Sequence, residues 1–371
     1  MKMLCLLDSE NLDLPYSNGI LGIETFLKEK FNIFIKELKE FNQEKFSENI
    51  ENTIADVKVS MEGIINAIRK YLLGDITGAC VTFNSVMEKS ELSIKCISEY
   101  YRKYVFQTYY RARLCSEKNK NFDKKEDFFH IPFEYRYLVK NQRYSVSGFP
   151  CMYLGTTPYT CYEELERPKA QDMYFVKVEI PKDYNLITIG LLPYELKAHL
   201  CKQNDEDIEQ IILNYLKMLP IIMACSVKVD ASKKEGVFKE EYIIPQLITQ
   251  WLITSGRNFD GILYFSNAAR THSRLNYRLY QNLVIPVKEI ERNGYCKKLL
   301  KEIRLTFPIS ASGIEFFKEY DYKYFQEYNN LNKLSGNGRI SKDNNSEIHY
   351  STSGFRLLEV MLSRKECSTI V

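Results

Sequence analysis

The sequence has few of the residues that build a metal centre or a disulfide framework. It contains four histidines, which lie far apart in the chain, and none has a cysteine or a carboxylate at ligand spacing. A zinc site is therefore not expected. The ten cysteines are scattered and form no Cys-x-x-Cys pair, which favours reduced thiols and a cytoplasmic location. We predict no bound metal and no cofactor.

The sequence also lacks long apolar segments and a strong net charge. Its opening, MKMLCLLDSENL, has too short an apolar run for a signal peptide. The most apolar later segment, 211–229, contains Asn214, Lys217 and Pro220, which predicts a buried helix and then a strand, and no membrane span. The formal net charge is +3, so no general attraction to nucleic acid or to an anionic membrane is expected.

The apolar content of 45% is sufficient for a folded core, and the first part of the chain is patterned for helices. From residue 20 to about 105, apolar residues recur at helical spacing with Lys and Glu between them. Gly74 is a plausible end of the second helix. Two further helices are predicted after it, the last of them covering 90–113.

After about residue 110 the pattern changes to shorter apolar runs rich in Val, Ile, Tyr and Phe, which are typical of strands. The predicted strands are 150–155, 173–180, 184–190, 222–229, 260–266 and 281–287. Helices are predicted between them at 161–166, 192–202, 206–219 and 245–256. This irregular order indicates an α+β fold with a helical N-terminal region, and not a doubly wound sheet.

We therefore predict three parts. Residues 1–105 form a helical region with a regulatory, oligomerisation or capping role, and 106–330 form the catalytic domain. Residues 331–371 are polar, rich in Asn, Ser, Gly and Lys, and predict a loop or mobile tail with one short helix near its end.

Within 107–290, several motifs follow one another in an order that resembles the RES family, named for its Arg, Glu and Ser. They are YYRAR (109–113), RYSVSGFPCMYLG (143–155), TTPYTCYEE (156–164) and DGILYFS (260–266). The matching residues are Arg111, Arg143, Gly148, Tyr153, Glu164, Ser266 and a later polar residue, Asn276.

The resemblance implies a fold similar to ADP-ribosyltransferase toxins, in which NAD+ lies across a split mixed sheet. It further implies cleavage of the nicotinamide–ribose bond, with water or inorganic phosphate as acceptor and, in some members, a protein side chain. Such an enzyme would be a bacterial toxin or an anti-phage effector. An antitoxin, another regulatory partner or a second copy of the chain would then bind the helical region.

The arginines suit the pyrophosphate of NAD+, because a planar guanidinium can bind two phosphate oxygens at once. Arg111 and Arg143 are the first candidates, and Arg113 is the alternative to Arg111. The competing interpretation is that Arg111 ends an amphipathic helix and that Arg143 caps a strand.

Glu164 has the clearest chemical role, since cleavage of an N-glycosidic bond builds positive charge on the ribose that a fixed carboxylate stabilises. Its neighbour Glu163 is the main competitor, although both Glu163 and Glu166 are expected to face solvent from a helix. Tyr153, expected at a strand end, would stack on the nicotinamide. With 27 tyrosines in the chain, a place in the core is the alternative.

Ser266 follows a predicted strand, where its hydroxyl would bond the nicotinamide amide or a ribose oxygen. A role as nucleophile is less attractive, because no His–Asp partner is evident nearby. His272 is expected to be a loop residue and His130 a brace of the fold. Gln246 is expected mainly to pack, with a hydrogen bond to the site as the alternative.

Two other functions compete with NAD+ cleavage to free products. One is transfer of ADP-ribose to a protein. The other is RNA binding through YYRKYVFQTYYRAR (100–113), where aromatic and basic residues alternate. We rank RNA binding low, because the same tyrosines suit a buried helix face and the net charge is nearly balanced.

Overall fold

The computed structural model describes residues 2–18, 21–43, 49–115, 122–202, 207–268, 277–321, 338–343 and 346–370. In these ranges the α-helices are α1 (Ile23–Gln43), α2 (Ile50–Leu72), α3 (Ile76–Arg102), α4 (Pro158–Glu164), α5 (Pro193–Leu200), α6 (Ile208–Cys225), α7 (Ile243–Thr254), α8 (Lys297–Glu302) and α9 (Gly354–Ser363). The strands are β1 (Tyr16–Ser17), β2 (Thr108–Leu114), β3 (Cys151–Gly155), β4 (Met173–Glu179), β5 (Leu186–Thr188), β6 (Val227–Lys228), β7 (Gly261–Phe265), β8 (Gln281–Pro286), β9 (Arg304–Leu305), β10 (Ile309–Ser310), β11 (Arg339–Asp343) and β12 (Ser346–His349).

Packing divides the chain into two compact units that interleave along the sequence. The first unit comprises Met1–Val105, Val139–Phe149 and Asn185–Asn267, and the second comprises Phe106–Leu138, Pro150–Tyr184 and Ala268–Val371. These units are defined by contacts. The division into regulatory and catalytic parts stays a prediction about function.

The N-terminal helices confirm the prediction made from the helical periodicity of the sequence. The apolar face of α2 packs against α3 and α6 within the first unit. Gly74 has φ +84°, so it ends α2 in a conformation that favours glycine, and Asp75 then caps α3. The two helices predicted after Gly74 are one continuous helix, α3, because no Gly or Pro interrupts the residues after Gly78.

In the apolar segment 211–229, the helix extends further along the chain than predicted. Helix α6 continues to Cys225, and only Val227–Lys228 is extended, so the predicted strand at 222–229 is mostly wrong. Among the described helices, α6 is the one long and apolar enough to span a membrane. However, 78% of that segment is buried inside the protein, where it packs against α2 and α3 as a core helix.

The strand pairs of the first unit are parallel. Strand β5 pairs with β7, with Ile187 opposite Ile262, and β1 pairs with β6. Residues 227–228 and 261–265 are buried or nearly so, as expected for strands covered on both faces.

The strands of the second unit form an antiparallel sheet in the order β10-β4-β2-β3-β8, with β9 also pairing with β4. Strand β2 contains YYRAR, so the prediction that a helix runs through residue 113 is wrong. Helix α3 ends at Arg102, and seven residues from Thr108 to Leu114 pair with β4. Alternating side chains place Arg111 and Arg113 on one face of β2 and Tyr110 on the other.

This sheet opens between β2 and β3. The two strands share one registered pair, Tyr110 opposite Gly155. Beyond that pair, β2 stays paired with β4, and β3 stays paired with β8. The strands therefore diverge from a closed end at Tyr110 and Gly155. We call this opening the split.

The polar C-terminal segment is partly ordered. Over 338–350 the predicted loop is wrong, because β11 and β12 form an antiparallel hairpin and Ile340 and Tyr350 are buried. The predicted short helix is confirmed as α9, which buries Phe355 and Leu358. The chain is thus α+β with strand pairs of both orientations, as expected.

Candidate functional site

Glu164 is the last residue of α4, which follows β3 at the closed end of the split. The helix starts with Thr157 as its N-cap, whose hydroxyl accepts a hydrogen bond from the Thr160 amide at 3.0 Å. The Glu164 side chain is exposed, and its Oε1 accepts a hydrogen bond from Nδ2 of Asn282 at 2.5 Å. Asn282 is buried on β8 directly opposite Gly155. The carboxylate is therefore both accessible and held in place.

Glu163 and Glu164 have opposite environments, although they are adjacent. Glu163 is 3% exposed and makes a two-point ion pair with Arg167, at 2.6 Å to Nη2 and 3.1 Å to Nε. The expectation that Glu163 faces solvent is wrong, because the inner side of α4 packs against β2 and β3. Glu166 is exposed as predicted. Of the two candidates, only Glu164 presents its carboxylate at the surface.

Arg111 is a cation with no ion-pair partner among the residues that the structure describes. It follows Tyr110 at the closed end of the split, and its Nη1 is buried with no hydrogen-bond partner among the residues that the structure describes. Burial, followed by the nearby charge of Arg113, lowers the Arg111 pKa to about 9. A half-buried guanidinium with a buried, unused Nη1 donor is suited to bind an anion.

Arg113 lies on the same face of β2, two residues further from the closed end. Its pKa is lowered by burial, and this effect is opposed by the carboxylate of Asp127 and by Tyr295. Because Arg113 has acidic neighbours that Arg111 lacks, Arg111 is the stronger candidate for anion binding.

The thiol of Cys161 is within electrostatic range of both Arg111 and Glu164. Its pKa is raised to about 12, chiefly by burial and further by Glu164, whereas Arg111 lowers it. The Sγ atom contacts the Tyr110 carbonyl at 3.3 Å. The two charged candidates thus act on one side chain next to the closed end. The thiol itself is protonated at neutral pH and is a poor nucleophile.

His130 braces the second unit, as expected. Its Nε2 accepts a hydrogen bond from the Cys296 amide at 2.9 Å, so Nδ1 carries the proton and donates to the Ile131 carbonyl at 2.8 Å. Burial, and secondarily the charge of Arg111, lowers the His130 pKa to about 4. The neutral ring is therefore a structural hydrogen-bond bridge.

Tyr153 lies at the centre of β3, not at its end as predicted. It is opposite Val284 of β8 and is half-buried, with buried residues on either side of it in the strand. Its strand is one wall of the split, because β3 has left β2 at this point.

In the first unit, Arg143 is held at a loop. Its guanidinium lies 5.0 Å from the centre of the Tyr242 ring, and Nη1 donates to the Cys225 carbonyl at 3.3 Å. The amide of Gln246 fixes the same loop, because Nε2 donates to Asn141 Oδ1 at 2.7 Å and to the Gln142 carbonyl at 2.9 Å. Gln246 therefore does more than pack.

The turn after Arg143 and the segment with Ser266 are also in the first unit. Gly148 has φ +79°, which explains the glycine in the SGFP turn. Ser266 follows β7 and is fully buried. Its neighbour Asn267 donates from Nδ2 to the Cys225 carbonyl at 3.2 Å, the same acceptor that Arg143 uses. The Arg143 and Ser266 segments thus meet at one carbonyl.

The predicted site residues are therefore divided between the units. Arg111, Arg113, Tyr153 and Glu164 belong to the second, whereas Arg143 and Ser266 belong to the first. Asn276 and His272 lie outside the described residues. None of the ten cysteines forms a disulfide bond. Within the described ranges, no three His, Cys, Asp or Glu side chains are grouped as metal ligands.

Sequence reasoning missed Asn282, Asn267 and Arg167. Asn282 had one visible signal, since it and Gln281 are the two amides that begin the strand QNLVIP, which is apolar thereafter. Asn267 directly follows the Ser266 candidate. The signal for the Glu163–Arg167 pair was the i,i+4 spacing of its opposite charges.

The chain is similar to a protein of Bacillus subtilis (strain 168) named "Putative toxin YopC". The two are 28% identical over 318 residues, which cover 84% of this chain and 71% of that protein. No protein-family model matches the chain. No solved structure matches it.

Proposed function

We propose that this protein is a toxin that destroys NAD+ by cleaving the bond between nicotinamide and ribose. The similarity to YopC supports the toxin role, because that protein is named as a toxin. The resemblance of Arg111, Tyr153 and Glu164 to RES positions supports NAD+ as the substrate.

The observation that carries the proposal is that two unlike charged groups both act on the Cys161 thiol, next to the closed end of the split. Glu164 presents a fixed, exposed carboxylate there, and Arg111 presents a half-buried cation whose buried Nη1 donor is unused in the described part of the chain. A carboxylate and a guanidinium at this place suit a substrate that carries a phosphate and develops a cation.

The chemistry follows from these charges. Arg111, with Arg113 beside it, binds the pyrophosphate, and this places the ribose near Glu164. As the C1′–N bond breaks, nicotinamide leaves as a neutral base and positive charge grows on the ribose ring. The Glu164 carboxylate stabilises that charge more in the transition state than in the bound substrate.

The acceptor then adds directly to C1′. The Cys161 thiol is protonated and buried, so a covalent enzyme intermediate is not part of the proposal. Water gives ADP-ribose, and inorganic phosphate gives ADP-ribose-1″-phosphate. The water oxygen that bonds to C1′ releases one proton to solvent, whereas phosphate bonds to C1′ through an anionic oxygen that carries no proton.

Incubation of the purified protein with labelled NAD+, with and without phosphate, tests the proposal. We expect free nicotinamide, together with ADP-ribose or its 1″-phosphate. Glu164→Gln should lower kcat by about 10²–10³-fold, since one fixed electrostatic group contributes that much. Glu166→Gln is the matched control, because this exposed glutamate lies beyond the helix, and it should retain the wild-type rate.

Two outcomes would reject the proposal. If wild-type protein leaves NAD+ intact in both buffers, the NAD+ assignment is wrong. If label appears on protein in place of free products, the enzyme is an ADP-ribosyltransferase. Wild-type kcat in Glu164→Gln would remove Glu164 from the mechanism.

A further inference from the structure

Arg167 is placed to control the position of Glu164. It is three residues beyond the end of α4 and binds Glu163, the neighbour of Glu164, through two nitrogen atoms. Both side chains of this pair are almost fully buried, with relative exposures of 8% and 1%. A two-point, water-excluded contact fixes orientation as well as distance.

The same guanidinium also reaches a distant segment of the second unit. Its Nη1 donates to the Lys342 carbonyl in β11 at 2.8 Å. Arg167 therefore joins the end of α4 to the C-terminal hairpin of β11 and β12. Because α4 is only seven residues long, its own backbone bonds hold its last turn weakly, and this external attachment matters more.

The backbone between Glu164 and the guanidinium is strained. Glu166 and Arg167 have φ of +65° and +60°, which is unfavourable for residues that carry a side chain. This conformation lets the Arg167 amide bond the Tyr162 carbonyl at 2.9 Å and turns the Arg167 side chain back onto Glu163. The ion pair thus retains a turn that the chain would otherwise tend to relax.

We infer that Arg167 is a positioning residue, which holds the end of α4 through Glu163 and Lys342 so that the Glu164 carboxylate stays against Asn282. The inference rests on the proposed function, in which Glu164 stabilises the ribose cation. Without Arg167, substrate still binds, but the carboxylate is displaced from the developing charge.

The test replaces both charges of the pair together. Single changes leave a buried charge without its partner and therefore destabilise the fold. The double variant Glu163→Gln with Arg167→Met removes both charges, so its stability should return close to that of wild type. Its kcat for nicotinamide release should nevertheless stay lower by about 10²-fold, the cost of a displacement of roughly 1 Å. The KM for NAD+ should change by less than about twofold.

A second buried pair in the same unit is the matched control. Arg356 and Glu359 of α9 are 2.6 Å apart and are also buried, and both partners of this pair belong to α9 itself. Glu359→Gln with Arg356→Met should leave kcat unchanged. A second control, Glu166→Gly, relieves one strained residue while keeping the pair, and it should also retain kcat.

The outcomes separate this inference from the proposed function. Wild-type kcat in the Glu163–Arg167 double variant, in an active protein, overturns the positioning role only. If wild-type protein does not cleave NAD+, amide hydrogen exchange tests the positioning role of Arg167 instead. The α4 amides should then exchange faster in the double variant than in wild type, with no such change in the α9 control. Unchanged α4 exchange would also overturn the inference.

Discussion

The Nδ2 atom of Asn282 lies 2.5 Å from Oε1 of Glu164. The donor is a buried residue of β8, and the acceptor is exposed at the end of α4. A neutral amide thus holds the carboxylate and, unlike a cationic donor, does not itself neutralise the negative charge.

Loss of this hydrogen bond should slow the proposed reaction. Asn282→Ala is expected to lower kcat by about 10- to 10²-fold, because a hydrogen bond to a charged group is worth about 1.5–3 kcal/mol. Asn282→Asp should lower kcat further, since it places a second carboxylate against Glu164. Steady-state nicotinamide release is the measurement. Asn185→Ala removes a comparable amide bond, to the Asn258 carbonyl at 2.8 Å, and should have no effect on kcat.

Arg111→Met should stabilise the protein and abolish its response to anions. The substitution removes a half-buried charge whose Nη1 atom has no partner in the described part of the chain, so the free energy of unfolding should rise by about 1 kcal/mol. Pyrophosphate should raise the melting temperature of wild type and not that of the variant. Arg304→Met, at an exposed arginine of β9, is the control and should behave as wild type. A destabilised variant that still responds to pyrophosphate would contradict the anion-site assignment.

His130 should make stability depend on pH in the acid range. Its pKa falls from the ordinary 6.5 to about 4 in the folded state, so the unfolded chain binds more protons between these values. The stability that the neutral His130 ring contributes is complete above pH 6.5 and is lost as the pH falls towards 4. At pH 5 the loss is roughly 2 kcal/mol.

Urea unfolding at pH 7 and pH 5 measures this effect. His130→Gln should have a lower free energy of unfolding at pH 7 but a smaller loss between the two pH values, because glutamine does not titrate. His349→Gln, at an exposed histidine, should keep the wild-type difference. An unchanged pH dependence in His130→Gln would show that other groups cause it.

Gln246→Ala should loosen the loop that carries Arg143. The side-chain amide donates to Asn141 and to the Gln142 carbonyl, and both bonds are lost. If Arg143 binds substrate as predicted from sequence, KM for NAD+ should rise several-fold, by about 1 kcal/mol of binding, with little change in kcat. Gln250→Ala, one turn further along α7, is the control. An equal rise in KM for both variants would argue against a specific role of this loop.

Sequence patterns were sufficient to predict those elements that depend only on neighbouring residues in the chain. Helices α1 to α3 and the stop at Gly74 follow from side-chain periodicity and from a backbone angle that favours glycine. Strand β2 could not be recognised in this way. Its residues also fit the end of an amphipathic helix. They form a strand because they pair with β4, which lies far along the chain.

In the candidate site, too, some features could be predicted from the sequence and others depend on packing. The order of Arg111, Tyr153 and Glu164 was readable, because the residue types and spacings resemble a family. The choice between Glu163 and Glu164 was not. Adjacent helical residues point about 100° apart, and only the packing of α4 against the sheet determines which one is buried.

The sequence by itself determined the helical segments, the glycine turn at Gly148 and the charged residue types available for chemistry. Those features depend on neighbouring residues in the chain. The tertiary structure alone decided that β2 and β3 diverge, that Asn282 holds Glu164 and that Arg167 binds Glu163. Each of these depends on contacts whose geometry is set by the packing of α4 on the sheet, and local periodicity carries no information about that packing.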